Sequence, residues 1–258
     1  MIDEREIERR AEQLGLLPTH VGKDYLLNHL LAAAADASAP LVFRGATALA
    51  RVYWPDFRLS KDLDFISTAS GTDIDAAIRS AVTTAAARTG TTLTPNIPAT
   101  REGWTRCEVR WDGGSIQVDV NRGEGPKLPV ETRTLDLPYS DLARDARTLE
   151  VVALEEILAN KWYMLDDRKE PRDLFDLWYG VCVRGVPLDT IADAFRAKYS
   201  GTPGVWRVER ARRVERAWEE RLAHQVKELP PFSDVFGALH SKVQAWSDHD
   251  PADARHPS

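Results

Sequence analysis

Apolar positions along this chain follow two rhythms, and the places where one gives way to the other outline its elements. Residues 2–14 are heavily charged, with Ile2, Ile7 and Leu14 as sparse apolar positions, which predicts an amphipathic surface helix. Pro18 and Gly22 punctuate a turn after it. Residues 23–35, where paired leucines run into four alanines, predict a packing helix, and His29 among those leucines predicts a structural histidine. Pro40-Leu41-Val42-Phe43 has the character of a short buried strand; it breaks at Gly45, and residues 47–53 predict one or two helical turns ended by Pro55 and Asp56. Residues 63–66 predict a second strand, Ser70-Gly71 a loop, and residues 74–89 a helix with Ile74, Ile78 and Val82 on one face. Residues 104–111 and 115–120 flank Asp112-Gly113-Gly114, the turn chemistry of a hairpin.

Residues 121–138 are rich in glycine, proline and charge and predict a connecting loop or a short strand pair, with a domain boundary near Asp145. Beyond it the rhythm is helical. Residues 149–166 carry Val152, Leu154, Ile157, Leu158, Trp162 and Leu165, with Glu155 and Glu156 near the start, where the helix dipole favours them. Pro171 opens a helix on which Asp173 and Asp176, three apart, share a face. Helices over 188–199, 205–229 and 232–246 complete this half, with Val214, Trp218 and Leu222 toward a core. Residues 247–258 predict a disordered tail. The expected organisation is therefore 1–145, 146–246 and a tail over 247–258.

Composition narrows the class. Of 258 residues, 43% are hydrophobic and 29% charged, the balance of a soluble globular protein, and no apolar run approaches the ~20 residues of a membrane span. The acidic, polar start does not resemble a secretory signal. Cys107 and Cys182 lack any zinc or disulfide spacing and point to a reducing cytoplasm. A net charge of −6 gives no general argument for nucleic-acid binding. Residues 205–224 nevertheless hold six arginines against four glutamates, so Arg207, Arg210, Arg213, Arg216 and Arg221 predict either a solvated face or an RNA-contacting one.

The chemistry concentrates between residues 43 and 66. A glycine between a strand and a helix start, here Gly45, lets backbone N–H groups approach an anion, and Thr47 is placed to add a hydroxyl. Asp62 and Asp64 alternate along the next strand and share a face. Two like charges there repel unless a cation sits between them, and oxygen-only ligation suits Mg²⁺. An anion cradle followed by paired carboxylates reads as nucleotidyl or phosphoryl transfer. Asp119 points away from Ile116, Val118 and Val120 on its own strand. Lys161 stands on a strongly apolar helix; Asp173 and Asp176 form an acidic face that can pair with Arg168, Arg172 or Lys161. Ser60 reads as a turn residue leading into the Asp62 strand.

The run Gly45-Ala46-Thr47-Ala48-Leu49, followed by Arg58-Leu59-Ser60-Lys61-Asp62-Leu63-Asp64-Phe65, resembles the signature of the AbiEii/AbiGii (MenT-like) toxin family, nucleotidyltransferases of the DNA polymerase β-like superfamily. Lys23-Asp24-Tyr25-Leu26-Leu27 and Arg172-Asp173-Leu174-Phe175-Asp176-Leu177 resemble two further family segments, so the likeness spans about residues 20–185. The resemblance implies an α+β fold: a polymerase β-like mixed sheet with flanking helices, then a C-terminal helical bundle, with the substrate in the cleft between. It implies that Asp62 and Asp64, with Asp119 as third metal carboxylate, hold Mg²⁺, or Mn²⁺ in its place, and that Asp119 also orients or deprotonates an acceptor hydroxyl. Arg44, Gly45, Ala46, Thr47, Lys61 and Lys161 would bind the NTP phosphates, and Asp176, then Asp173, would orient the nucleotide or the lysine. It implies a cytoplasmic toxin acting on the 3′ end of tRNA, away from membranes. Its cognate antitoxin would be kinase-like or a transcriptional repressor, with Ser60 the site a kinase-like antitoxin would phosphorylate. The other readings are a small-molecule or protein acceptor, and a non-catalytic nucleotide-binding partner.

Overall fold

The alternation of apolar and polar residues in two strands decides how the N-terminal half is layered. In a computed structural model, which describes residues 2–249 apart from 38, 68, 70, 99–102, 169 and the side chain of 72, helices α1 (Glu4–Leu14) and α2 (Pro18–Asp36) lead to strand β1 (Leu41–Arg44). β1 runs straight into a short helix, α3 (Gly45–Ala48), which widens into a π-type turn over Leu49–Tyr53. Then come β2 (Asp62–Ser67), α4 (Gly71–Thr89), β3 (Thr94–Asn96), β4 (Trp104–Trp111), β5 (Gly114–Asn121), β6 (Glu131–Thr134) and β7 (Thr148–Val151). They form a seven-stranded mixed sheet of order β3-β4-β5-β2-β1-β7-β6. The β1/β7 and β2/β5 pairs are parallel, the others antiparallel.

Leu63 and Phe65 of β2 and Val118 and Val120 of β5 are buried beside Leu30 of α2 and Ile78 of α4. That face belongs to α2 and α4. The period of two therefore sends Asp62, Asp64 and Asp119 to the opposite face.

Several expected boundaries move for local reasons. Pro18 does not punctuate a turn but opens α2 at its first position, where a fixed φ helps and a missing N–H costs nothing. Part of 121–138 becomes β6, which pairs with β7. Leu149 lies in β7, so the following helix starts only at Leu154. The chain divides into two compact units after Val152, rather than near Asp145, and Gln225–Lys227 rejoins the first.

The first unit also buries a polar cluster. Asp24, 1% exposed, accepts bonds of 2.6 and 2.7 Å from Arg51 Nη2 and one of 2.8 Å from the Tyr139 hydroxyl. Burial, and then the charge of Asp24, push the Tyr139 phenol well above its ordinary range. His29 is buried 3.4 Å from Asp141, a structural position.

The second unit is helical: α5 (Leu154–Asp167), α6 (Pro171–Trp178) with a π-type extension over Tyr179–Val183, α7 (Leu188–Lys198), α8 (Val205–Arg210), a 3₁₀ segment (Ala211–Ala217), α9 (Trp218–Leu222) and α10 (Phe232–Ser247). Val214, Trp218 and Leu222 are buried, as their spacing predicts. The expected continuous helix over 205–229 is interrupted by the 3₁₀ segment and ends at Leu222. Its arginines are not a free face. Arg207 is 7% exposed, lies over the rings of Trp206, Tyr163 and Phe195, and pairs with Asp166 at 3.3 Å. Arg210 pairs with the same carboxylate and stacks on Trp206. Arg213 donates to the carbonyls of Leu165 and Asp166, at the C-terminal end of α5, where unpaired carbonyls and the helix dipole attract a cation. Ser247 belongs to α10, and the tail from residue 250 lies outside the described residues. Among the described residues, no helix is long and apolar enough to cross a membrane.

Removing Asp24 would strand the Arg51 cation in the core. Asp24→Ala is expected to lower unfolding free energy by about 3–5 kcal/mol. Asp36→Ala breaks pairs with Arg88 and Arg147 whose carboxylate is 38% exposed, and should cost under about 1 kcal/mol. Urea unfolding of the two variants checks the contrast; equal losses would mean that the Asp24 cluster is not a buried counter-ion site.

Candidate functional site

The turn from β1 into α3 and the carboxylates of β2 are packed as one piece. Gly45 has φ +79°, a left-handed conformation that side chains resist. A Cβ at this position would lie 2.4 Å from a carboxylate oxygen of Asp64 and 3.1 Å from its Cβ. Glycine is thus required twice, by the backbone angle and by the approach of Asp64. Thr47, 1% exposed, donates its hydroxyl to the Asp62 backbone carbonyl at 2.5 Å. That hydroxyl proton ties α3 to β2 and is not offered outward, unlike the phosphate role its position in the sequence suggests. Arg44 stands opposite Asp64 in the strand register, half-buried, and makes no ion pair among the described residues. Ala46 is half-buried in the first turn of α3, and Lys61 is half-buried just before β2.

The approach to β2 is anchored by a segment remote in sequence. Arg58, 5% exposed, donates to the Gln225 side-chain oxygen at 2.8 Å, and the Leu59 N–H donates to the Gln225 carbonyl at 2.9 Å. Ser60 follows at only 8% exposure. A kinase could reach it only after residues 58–61 had opened.

Asp62 and Asp64 lie on one face of β2, and Asp119 of β5 is the register partner of Asp64, across strands spaced about 4.8 Å apart. Arg106 faces Asp119 from β4. It grips both carboxylate oxygens, Nε to Oδ1 at 2.8 Å and Nη2 to Oδ2 at 3.0 Å. The hydrogen bonds that Arg106 donates to Asp119 raise the arginine above its ordinary pKa, and the charges of Asp119, Asp62 and Asp64 add to the effect. Three carboxylates therefore act on one guanidinium. Among the described residues, no group of three or more His, Cys, Asp or Glu side chains is arranged to hold a metal ion; Asp119 is turned to Arg106. The donor set itself fits a hard divalent cation: it is all oxygen, with two carboxylates on one strand and a third in register on the next. Arg106 is the residue that sequence reading overlooked. A two-residue turn at Asp112-Gly113 pairs Trp111 with Gly114, and counting outward from it brings Arg106 opposite Asp119.

In the helical unit, Lys161 of α5 is 6% exposed and lies between two buried carboxylates of α6, Asp173 at 3.0 Å and Asp176 at 2.8 Å. Arg168 closes on Asp173 with bonds of 2.7 and 2.9 Å. Burial pushes the Asp173 carboxyl up, but the charge of Lys161 and the bonds from Arg168 outweigh it and hold the pKa at about 2. The shared acidic face predicted from the spacing is real, and both aspartates reach the lysine. Lys161 is a packed counter-ion here, whatever else it binds.

Two outcomes follow from these contacts. Gly45→Ala should lose about 1–3 kcal/mol of stability through its backbone angle alone, and should displace Asp64; an unchanged urea midpoint would mean that Gly45 and Asp64 do not touch. The Asp173 pKa of about 2 lies below the unfolded value of roughly 3.9. Its contribution is therefore present above about pH 4 and is lost as pH falls toward 2. Asp173→Asn should flatten urea stability across that window, while Lys161→Met, which leaves two buried carboxylates facing each other, should cost about 3–5 kcal/mol at neutral pH.

The family described as nucleotidyl transferase AbiEii toxin, type IV toxin–antitoxin system, matches residues 26–246. Among solved structures the chain is similar to MenT4, a nucleotidyltransferase toxin of Mycobacterium tuberculosis H37Rv, with a TM-score of 0.74 at 18% identity over 99% of this chain and 93% of that one. It is also similar to a candidate nucleotidyltransferase from H. pylori, with a TM-score of 0.56 at 16% identity over 89% of this chain and 95% of the other. At such identities these likenesses concern the fold, and they agree with the α+β nucleotidyltransferase architecture expected from the motifs. No curated protein matches the chain. With the family match running from α2 to the end of α10 and enclosing both the glycine turn with its paired aspartates and the Asp173/Asp176 helix, the chain belongs to the AbiEii nucleotidyltransferase toxin family of type IV toxin–antitoxin systems.

Proposed function

We propose that this protein transfers a nucleoside monophosphate from an NTP to an acceptor hydroxyl with release of pyrophosphate, and that the acceptor is the 3′ end of tRNA, so that the toxin blocks translation and growth. The observation that carries the transfer reading is the placing of Asp62, Asp64 and Asp119 on one sheet face, with the Gly45 turn packed against Asp64. Asp62 and Asp64 would hold Mg²⁺ or Mn²⁺. Such an ion, when bound, neutralises the triphosphate and the charge on attacking and leaving oxygens. The start of α3 would offer backbone N–H groups to phosphate, and Arg44 and Lys61, in the same stretch, would add positive charge. Asp119 would orient or deprotonate the acceptor hydroxyl. Lys161, set by Asp173 and Asp176, is the candidate triphosphate lysine of the helical unit. Free Cys107 and Cys182 support a reducing cytoplasm as its place of action.

The tRNA acceptor rests on the family resemblance. The arginines of 205–224 lend it little, since Arg207, Arg210 and Arg213 are engaged within the chain. For the same reason, charge reversal at Arg210 and Arg213 is a poor test of RNA binding: it would uncap α5. Labelled NTPs incubated with the protein and either total RNA or total protein decide the acceptor. Label at tRNA 3′ ends is expected, and label in protein or in a small molecule would replace tRNA by that acceptor. Asp62→Ala and Asp64→Ala should each lower transfer by at least about a hundredfold, because residues that act as a unit lose most of the rate singly. Wild-type-like transfer by Asp62→Ala would overturn the metal assignment.

A further inference from the structure

We infer that Arg106 governs when Asp119 takes part in the site: its guanidinium competes with the divalent cation for the Asp119 carboxylate, which is released as a ligand only when the cation displaces the arginine. This rests on the reading of Asp62 and Asp64 as metal ligands. Both oxygens of Asp119 are held by the planar fork, at 2.8 and 3.0 Å, which leaves neither turned toward Asp64 as a free ligand. The pair is asymmetric. Arg106 is 52% exposed and Asp119 13%, so the arginine can move into water while the carboxylate stays on the sheet. Half-exposed pairs of this kind are weak, and a divalent charge beside three carboxylates outbids them. Glu108 does not offer Arg106 an alternative on its own strand, because Arg110 already holds that carboxylate at 2.6 and 2.8 Å. Without a cation, Arg106 supplies the positive charge that keeps three carboxylates on one face tolerable. With one, Asp119 is exchanged from an internal ion pair to the reacting site. Arg106 is thus a positioning residue acting through Asp119.

The test is direct Mn²⁺ binding to the full chain, read by the loss of the free-ion electron paramagnetic resonance signal. Arg106→Gln should tighten Mn²⁺ by roughly two- to fivefold, the scale of an exposed bidentate pair. Arg106→Lys, which keeps the charge and loses the fork, should fall between it and the parent. In an Asp119→Asn background, Arg106→Gln should change nothing. Melting curves confirm that each variant is folded, as expected for Arg106, whose side chain is 52% exposed. If Arg106→Gln binds Mn²⁺ no better than the parent while Asp64→Ala loses binding, the competition is overturned and the metal reading stands. If Arg106→Gln tightens binding equally without Asp119, the effect is general charge, and the competition is again overturned. If Asp64→Ala and the parent bind alike or not at all, the metal reading itself fails, and this inference fails with it.

Discussion

Asp64 can lie against the chain at Gly45 only because that residue has no side chain and tolerates a left-handed backbone. Much of the first unit is arranged by this contact. It goes with the antiparallel register of β1 and β2, in which Arg44 stands opposite Asp64, and with the bond from Thr47 of α3 to the backbone of Asp62. A glycine turn that opens a helix and a strand that carries paired carboxylates make opposite electrostatic demands, and here the two lie against each other.

Charge is handled differently elsewhere. Asp24 with Arg51, Lys161 with Asp173 and Asp176, and Glu156 with Lys198 are all buried pairs. A buried pair gains little over well-packed apolar groups, yet breaking one is costly, so each commits its partners to a single arrangement. On the polar sheet face, by contrast, Arg106 is half in water and its pair can be exchanged. The first class holds elements together; the second has one partner open to water.

The arginine-rich stretch shows how a surface inference can mislead. By composition, residues 205–224 look like a basic face. In the fold, Arg207 fills an aromatic pocket and Arg213 caps α5. Both partners lie about forty residues back in the chain, and the planar guanidinium suits both tasks, stacking on rings and bonding carbonyls.

What the sequence determined by itself was local. Strand period turns Asp62 and Asp64 away from Leu63 and Phe65, and Asp119 away from Val118 and Val120, and the turn residues 112–114 announce the hairpin; the parallel pairing of β2 with β5 is what brings the three carboxylates to one face. Gly45 and the paired aspartates carried the family and, with it, the fold. What the tertiary structure decided was which charge meets which. Exposed β6 has no apolar rhythm to announce it and exists because β7 is there to pair with. The sequence offers Arg168, Arg172 and Lys161 as partners for the acidic face of α6, and packing of α6 on α5 gives Lys161 to both aspartates and Arg168 to Asp173. Gln225 has no visible tie to Arg58, 167 positions away, until the chain returns to the first unit. Periodicity is a property of a few consecutive peptide units and can be read in a string. The partner of a buried charge is chosen by packing, which minimises unpaired charge over the whole molecule and leaves no trace in local spacing.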